Sequence, residues 1–168
     1  YTDMLKRAVD SMKNGNHIKL DEPFNTGVEI NLNTPCLLPD DYVPDVHLRL
    51  ILYKRIANAN KDELIRIKIE LIDRFGMLPQ EALYLLRMSI IKQAANSIYI
   101  KKINMNASGG YIQFDKSSKI DIENLICMIS ANDIYQMNGQ HRLNFRCELN
   151  DYEERFDFIE NLLDGLSN

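Results

Sequence analysis

Residues 46–96 read VHLRLILYKRIANANKDELIRIKIELIDRFGMLPQEALYLLRMSIIKQAAN, and the fold turns on this stretch. Apolar residues recur through it every three or four positions, the period of helices that bury one face. Asp45 stands where a side-chain cap would open a first helix over 46–59. Asn60, with Glu63 three residues on, makes a capping box for a second, and Gly76 supplies its left-handed exit. Pro79 suits the first residue of a third, which runs to about Asn96. The spacing points Val46, Leu50, Tyr53 and Ala57 inward on the first helix, with Leu48, Ile51 and Leu52 beside them. On the middle helix the inward stripe is Leu64, Ile67, Leu71 and Phe75, widened by Ile65, Ile69 and Ile72. On the third it is Leu83, Leu86, Ile90 and Ala94.

Upstream, NTPCLLPDDYVPD places Pro35, Pro39 and Pro44 within ten residues. Each removes a backbone donor and disfavours helix in the residue before it, so this is an extended, rigid connector. Before it, Val28, Ile30 and Leu32 alternate with polar residues, as in a half-buried strand. Residues 2–12 have helical spacing (Met4, Leu5, Ala8, Val9, Met12), and 16–27 are turn-rich, as a linker is.

Downstream of Ser97 the period changes to two. Ile98, Ile100 and the run 111–114 read as strands joined around Ser108-Gly109-Gly110. Residues 121–131 form a short helix with Ile122, Leu125, Ile126 and Ile129 inward. Asn138-Gly139 between 134–137 and 142–146 predicts a two-residue hairpin turn with both residues at positive φ. Asn150 or Asp151 caps a last helix with Phe156, Ile159, Leu162 and Leu163 inward. The whole is an α+β fold: several helices packed on a small, mostly antiparallel, mixed sheet.

The chain has 168 residues, enough for a sizeable core, and no apolar run long enough to span a membrane. A net charge of −4 argues against duplex DNA or an anionic membrane as the main partner, because both demand clustered cations. Cys36, Cys127 and Cys147 are odd in number and far apart, which suggests the cytoplasm rather than a disulfide framework, with the thiols buried rather than reactive. The chain opens YTDMLKRAVDSMK, with neither an initiator Met nor a secretory segment, and reads as a piece of a longer protein.

No motif for catalysis is legible. There is no phosphate-wrapping glycine loop, and Gly109-Gly110 is a hairpin pair. His17, His47 and His141 lie far from one another and from any Cys, so neither metal nor cofactor is expected. Asp40-Asp41 follows a proline at a turn, and Glu153-Glu154 lies in a helix's first turn, where the dipole favours anions. Tyr99 and Tyr111 with Lys101, Lys102, Lys116 and Lys119 would suit a single-stranded nucleic acid, or are solvated lysines guarding sheet edges. Glu70 and Asp73 stand out: three apart on one helix face, in the last turns, where the dipole disfavours negative charge. Arg66 and Arg74, each four residues from Glu70, offset part of that cost. This face is either a salt-bridged surface or an acidic patch that receives an arginine-bearing partner.

The residues from Val28 to Pro79 resemble the C-terminal domain of the bacterial transcription-repair coupling factors. The resemblance rests on Pro35, Leu37-Leu38-Pro39, Asp40-Asp41, Tyr42-Val43-Pro44-Asp45, Arg49-Leu50, Tyr53-Lys54-Arg55-Ile56-Ala57, the run ELIDRFG at 70–76 and Leu78-Pro79, and it thins after Ser97. It implies a parent that is an ATP-driven DNA translocase of transcription-coupled nucleotide excision repair, which displaces stalled RNA polymerase and recruits UvrA. It implies residues 1–15 as a helix leading in from the motor, 16–27 as linker and 28–168 as a regulatory domain with no motor motif. Such a domain docks on the parent's UvrB-like module, masks UvrA binding and restrains the motor until polymerase is engaged. The docking positions it implies here are Glu70 and Asp73, with Arg74 and Arg66 beside them.

Overall fold

The computed structural model describes residues 27–167; the helix expected over 1–15 and the linker over 16–27, Gly27 apart, lie outside them. Among the described residues the elements are β1 (Glu29–Asn31), α1 (Val46–Asn58), α2 (Lys61–Phe75), α3 (Gln80–Ser97), β2 (Ile100–Asn106), β3 (Gly109–Phe114), α4 (Ile122–Ala131), β4 (Tyr135–Met137), β5 (Arg142–Arg146) and α5 (Tyr152–Leu166). The fold is α+β with one mixed five-stranded sheet. It divides into two compact units, one built on 35–90 and the other on 27–34 and 91–167.

In the helical unit, the Asp45 carboxylate accepts from the backbone N–H groups of His47 (2.9 Å) and Leu48 (3.3 Å) and opens α1. The buried face of α1 is Arg49, Leu52, Tyr53 and Ile56, rotated from the expected stripe, so that Val46, Ile51 and Ala57 are exposed. Arg49 explains the rotation. Its guanidinium donates to the Val43 carbonyl at 2.7 Å and its stem fills the core side, whereas hydropathy alone puts an arginine in water. Asn60 caps α2 by accepting from the Glu63 N–H (2.9 Å), and Gly76, at φ +90°, ends it with its own N–H on Ile72 O. Leu38, Val43, Leu52, Tyr53, Ile56, Leu64, Ile67, Leu71, Ala82 and Leu86 form the core. Ile90 packs on it; Leu83 and Ala94, expected inward, are half-buried. Pro79 lies just ahead of α3, its carbonyl accepting from Ala82 and Leu83.

The proline-rich connector is held by the donors that its prolines leave. The Leu38 N–H bonds the Tyr53 hydroxyl at 2.7 Å, the Leu37 N–H the Glu81 carbonyl at 3.2 Å, and the N–H groups of Tyr42 and Val43 both bond Pro39 O.

In the sheet unit the strand order is β1-β2-β3-β5-β4, parallel between β1 and β2 and antiparallel elsewhere. The register lines up Ile30, Ile103, Ile112, Leu143 and Met137 on one face. Phe145 lies on this face two residues from Leu143, and the ring of Phe158 of α5 packs tilted against it, centroids 4.8 Å apart. The opposite face carries the polar row Asn31, Asn104, Tyr111, Asn144 and Gln136. Gly109 and Gly110 belong to β3 rather than to the turn. A Cβ on Gly109 would collide with the Phe145 carbonyl, and one on Gly110 with the Asn104 carbonyl.

Two expectations fail here. Gly139 alone of the Asn138-Gly139 pair has positive φ, and Asn138 N–H bonds Arg142 O, so the loop is longer than a two-residue turn. On α4 only Leu125 is buried; Ile122 and Ile126 are exposed and Ile129 is half-buried, because this ten-residue helix, against α5 and β4, buries only a narrow stripe. The last helix is as expected: Asp151 caps it, and Phe156, Ile159, Leu162 and Leu163 are buried.

Arg155 of α5 ties β1 to the approach to α5. It is 6% exposed, donates through Nε to Leu149 O (2.7 Å), and through Nη1 to Asn33 O (2.9 Å) and Leu32 O (3.3 Å). Arg155→Ala leaves those carbonyls buried and short of donors, so urea unfolding should show a loss of about 2–4 kcal/mol. Arg155→Lys should recover less than half, because an ammonium cannot span the three acceptors that the guanidinium reaches.

Burial pushes the Tyr53 phenol up to about 12 from 10.0, against the opposing effects of the Leu38 N–H and the Arg49 charge. Below pH 10 both states hold the proton and the stabilisation is complete; above it the unfolded chain loses its proton first. Stability should therefore fall as pH rises from 10 through about 12, by about 2–3 kcal/mol from this group. Tyr53→Phe should flatten that part of the alkaline profile, while costing about 1–3 kcal/mol at neutral pH because the Leu38 N–H loses its acceptor.

Candidate functional site

The burial of Leu64 (3%), Ile67 (2%) and Leu71 (0%) sets the rotation of α2. The end of the helix is pinned as well. The Tyr42 hydroxyl lies 2.8 Å from Gly76 O and 3.1 Å from Leu71 O, and its ring packs on Phe75 at 5.7 Å. What remains is a long outward face.

Glu70 does not stand as an open carboxylate. Arg55 of α1 donates to its Oε2 at 2.7 Å, and Arg74 approaches Oε1 at 3.9 Å. Arg74 also lies 5.2 Å from the centre of the Phe75 ring. The strong partner of Glu70 thus comes from the neighbouring helix, and Arg66 is not used. Asp73 and Arg66 are exposed and make no ion pair among the described residues. Of the expected group, the structure joins Glu70 to Arg74 and leaves Asp73 and Arg66 available.

The same face corrects the expected core. Ile65, Ile69 and Ile72 point outward at 58%, 55% and 42% exposure. Seven apolar side chains on one fifteen-residue helix exceed what a single packed face can cover. Asp73 is four residues from Ile69 and Arg66 three, so both flank this apolar stripe. The surplus of isoleucines was the signal in the sequence, but only the positions of the neighbouring helices show which three lose.

The other candidates lie on other elements. Lys119 lies 5.0 Å over the Tyr99 ring and Arg142 4.2 Å over the Tyr111 ring, so each ring already carries a cation of its own chain. Lys102 is 3.8 Å from Glu29. Cys36 is buried, Cys147 is half-buried with its thiol pushed up by burial, and Cys127, against expectation, is exposed on α4. Among the described residues no group of three or more His, Cys, Asp or Glu could hold a metal ion, and no helix is long and apolar enough to cross a membrane.

The TRCF domain model matches residues 32–125. The transcription-repair-coupling factor of Escherichia coli (strain K12) is 37% identical over 97% of this chain, which spans 14% of that protein. That of Buchnera aphidicola subsp. Baizongia pistaciae is 35% identical over the whole chain, here 24% of the relative's length. A solved C-terminal domain of transcription-repair coupling factor aligns with a TM-score of 0.68 at 24% identity, covering 84% of this chain and 96% of that one, and so shares the fold. The α+β fold is thus that of a coupling-factor C-terminal domain, and the chain belongs to the TRCF domain family.

Truncations on α2 should separate the two faces. Glu70→Ala should cost less than about 1 kcal/mol in urea unfolding, because the pair with Arg55 is solvent-exposed. Leu71→Ala should cost about 2–5 kcal/mol, because it opens a cavity in the core.

Proposed function

We propose that this chain is the autoinhibitory protein-interaction domain of a transcription-repair coupling factor. In this reading it docks through α2 on the UvrB-like module of its own parent chain and masks the surface that binds UvrA. It restrains the ATP-driven translocase until RNA polymerase is engaged. DNA is contacted by the parent rather than by this domain, residues 28–168 act as the regulatory unit in the cytoplasm, and the domain itself performs no catalysis.

The observation that carries the reading is Asp73, a carboxylate without an ion-pair partner among the described residues, beside the exposed stripe Ile65, Ile69 and Ile72. An apolar stripe supplies buried area, and a charged group at its margin fixes orientation. An arginine on the facing module would meet Asp73 in a charge-assisted bond. The partner is in the same polypeptide, so its effective concentration is high and a modest interface suffices. Release is then a population shift toward the open parent, drawn by a partner that prefers it.

The test is binding of the 168-residue chain to the isolated UvrB-like module added in trans. Asp73→Ala should weaken binding roughly tenfold or more, and Glu70→Ala by less, since Glu70 is already held by Arg55. Both losses should shrink at high salt. Binding unchanged in the double variant, or none at millimolar concentration, would sink the proposal.

A further inference from the structure

The hairpin of α1 and α2 holds a cleft of about 540 Å³ lined by Lys54, Arg55, Asn58, Glu63, Arg66 and Ile67. Its lining carries Lys54, Arg55 and Arg66 beside one carboxylate, Glu63. Arg55 holds Glu70, and Arg66 has no ion pair among the described residues.

We infer that this cleft binds the acidic side chains of a protein segment. Aspartate and glutamate match the lining because their carboxylates meet the guanidinium forks of Arg66 and Arg55. A phosphate tract matches it less well. No aromatic ring lines the cleft for a base to stack on. The inference goes beyond the docking of α2 through Asp73: of the expected docking group only Arg66 lines the cleft, and the ligand has the opposite charge.

The test titrates the 168-residue chain with a capped peptide of glutamate and leucine, following backbone amide shifts by NMR. A glutamine counterpart of the peptide, inorganic phosphate and a single-stranded oligonucleotide run alongside. The amides of Asn58, Glu63, Arg66 and Ile67 should shift with the glutamate peptide, and not with its glutamine counterpart. Arg66→Gln should weaken that binding by roughly threefold or more, as expected for one exposed charge pair lost. Asp73→Ala should leave it unchanged. Arg66 is exposed and makes no ion pair among the described residues, so the unfolding midpoint of its variant should match the parent chain, which excludes misfolding as the cause of any loss. Shifts absent from these amides, or an affinity unaltered in Arg66→Gln, would overturn the inference. So would phosphate or the oligonucleotide binding more tightly than the peptide.

Discussion

The packing of Leu64, Ile67 and Leu71 is the constraint on which the rest of the helical unit depends. These side chains lie between 0% and 3% exposed, and truncating any one would open a cavity rather than simply uncover a surface. A helix held in this way has one allowed rotation. With it fixed, Glu70 must face Arg55, and Ile65, Ile69, Ile72 and Asp73 must face outward. The surface is therefore a consequence of the core. A substitution at Leu71 would disturb that outward surface without touching any residue on it, whereas one at Asp73 would alter the surface alone.

The connector supports that rotation from the other end. Three prolines within ten residues remove backbone donors, and four of those that remain tie the segment down: Leu37 on Glu81, Leu38 on Tyr53, Tyr42 and Val43 on Pro39. The Tyr42 hydroxyl then reaches the carbonyls of Leu71 and Gly76 at the end of α2. A stiff segment with its ends tied loses little conformational entropy on folding. This is a physical reason for a proline-rich stretch to sit beside a helix whose rotation it helps to fix.

How much of this was legible in the sequence depended on how local the deciding interaction was. The caps at Asp45, Asn60 and Asp151 and the exit at Gly76 bond residues two to four positions away, and they were readable. The rotation of α1 was not, because Arg49 enters the core to bond Val43 and a hydropathy pattern assigns arginine to water. The role of Gly109 and Gly110 was half legible. The pair marks the β2–β3 connection, but the need for glycine comes from the carbonyls of Phe145 and Asn104 on the flanking strands. For the site, the face carrying Glu70 and Asp73 was legible from spacing, and Arg55 was not. Its contact crosses from one helix to another at a separation of fifteen residues, where no helical periodicity applies.

Arg55 also links the two surfaces of the hairpin. One guanidinium holds Glu70 at 2.7 Å and lines the cationic cleft. A carboxylate entering that cleft competes with Glu70 for the same donors, and an arginine approaching Glu70 from outside competes with Arg55 for the same oxygens. Each ligand therefore weakens the internal pair that opposes the other, and by linkage the two effects are equal in free energy. The exposed pair is worth at most about 1 kcal/mol, which bounds the coupling to a few-fold in affinity. That is too little to act as a switch by itself. It is enough to favour a partner whose surface presents both signs of charge at this spacing over one that presents only arginine.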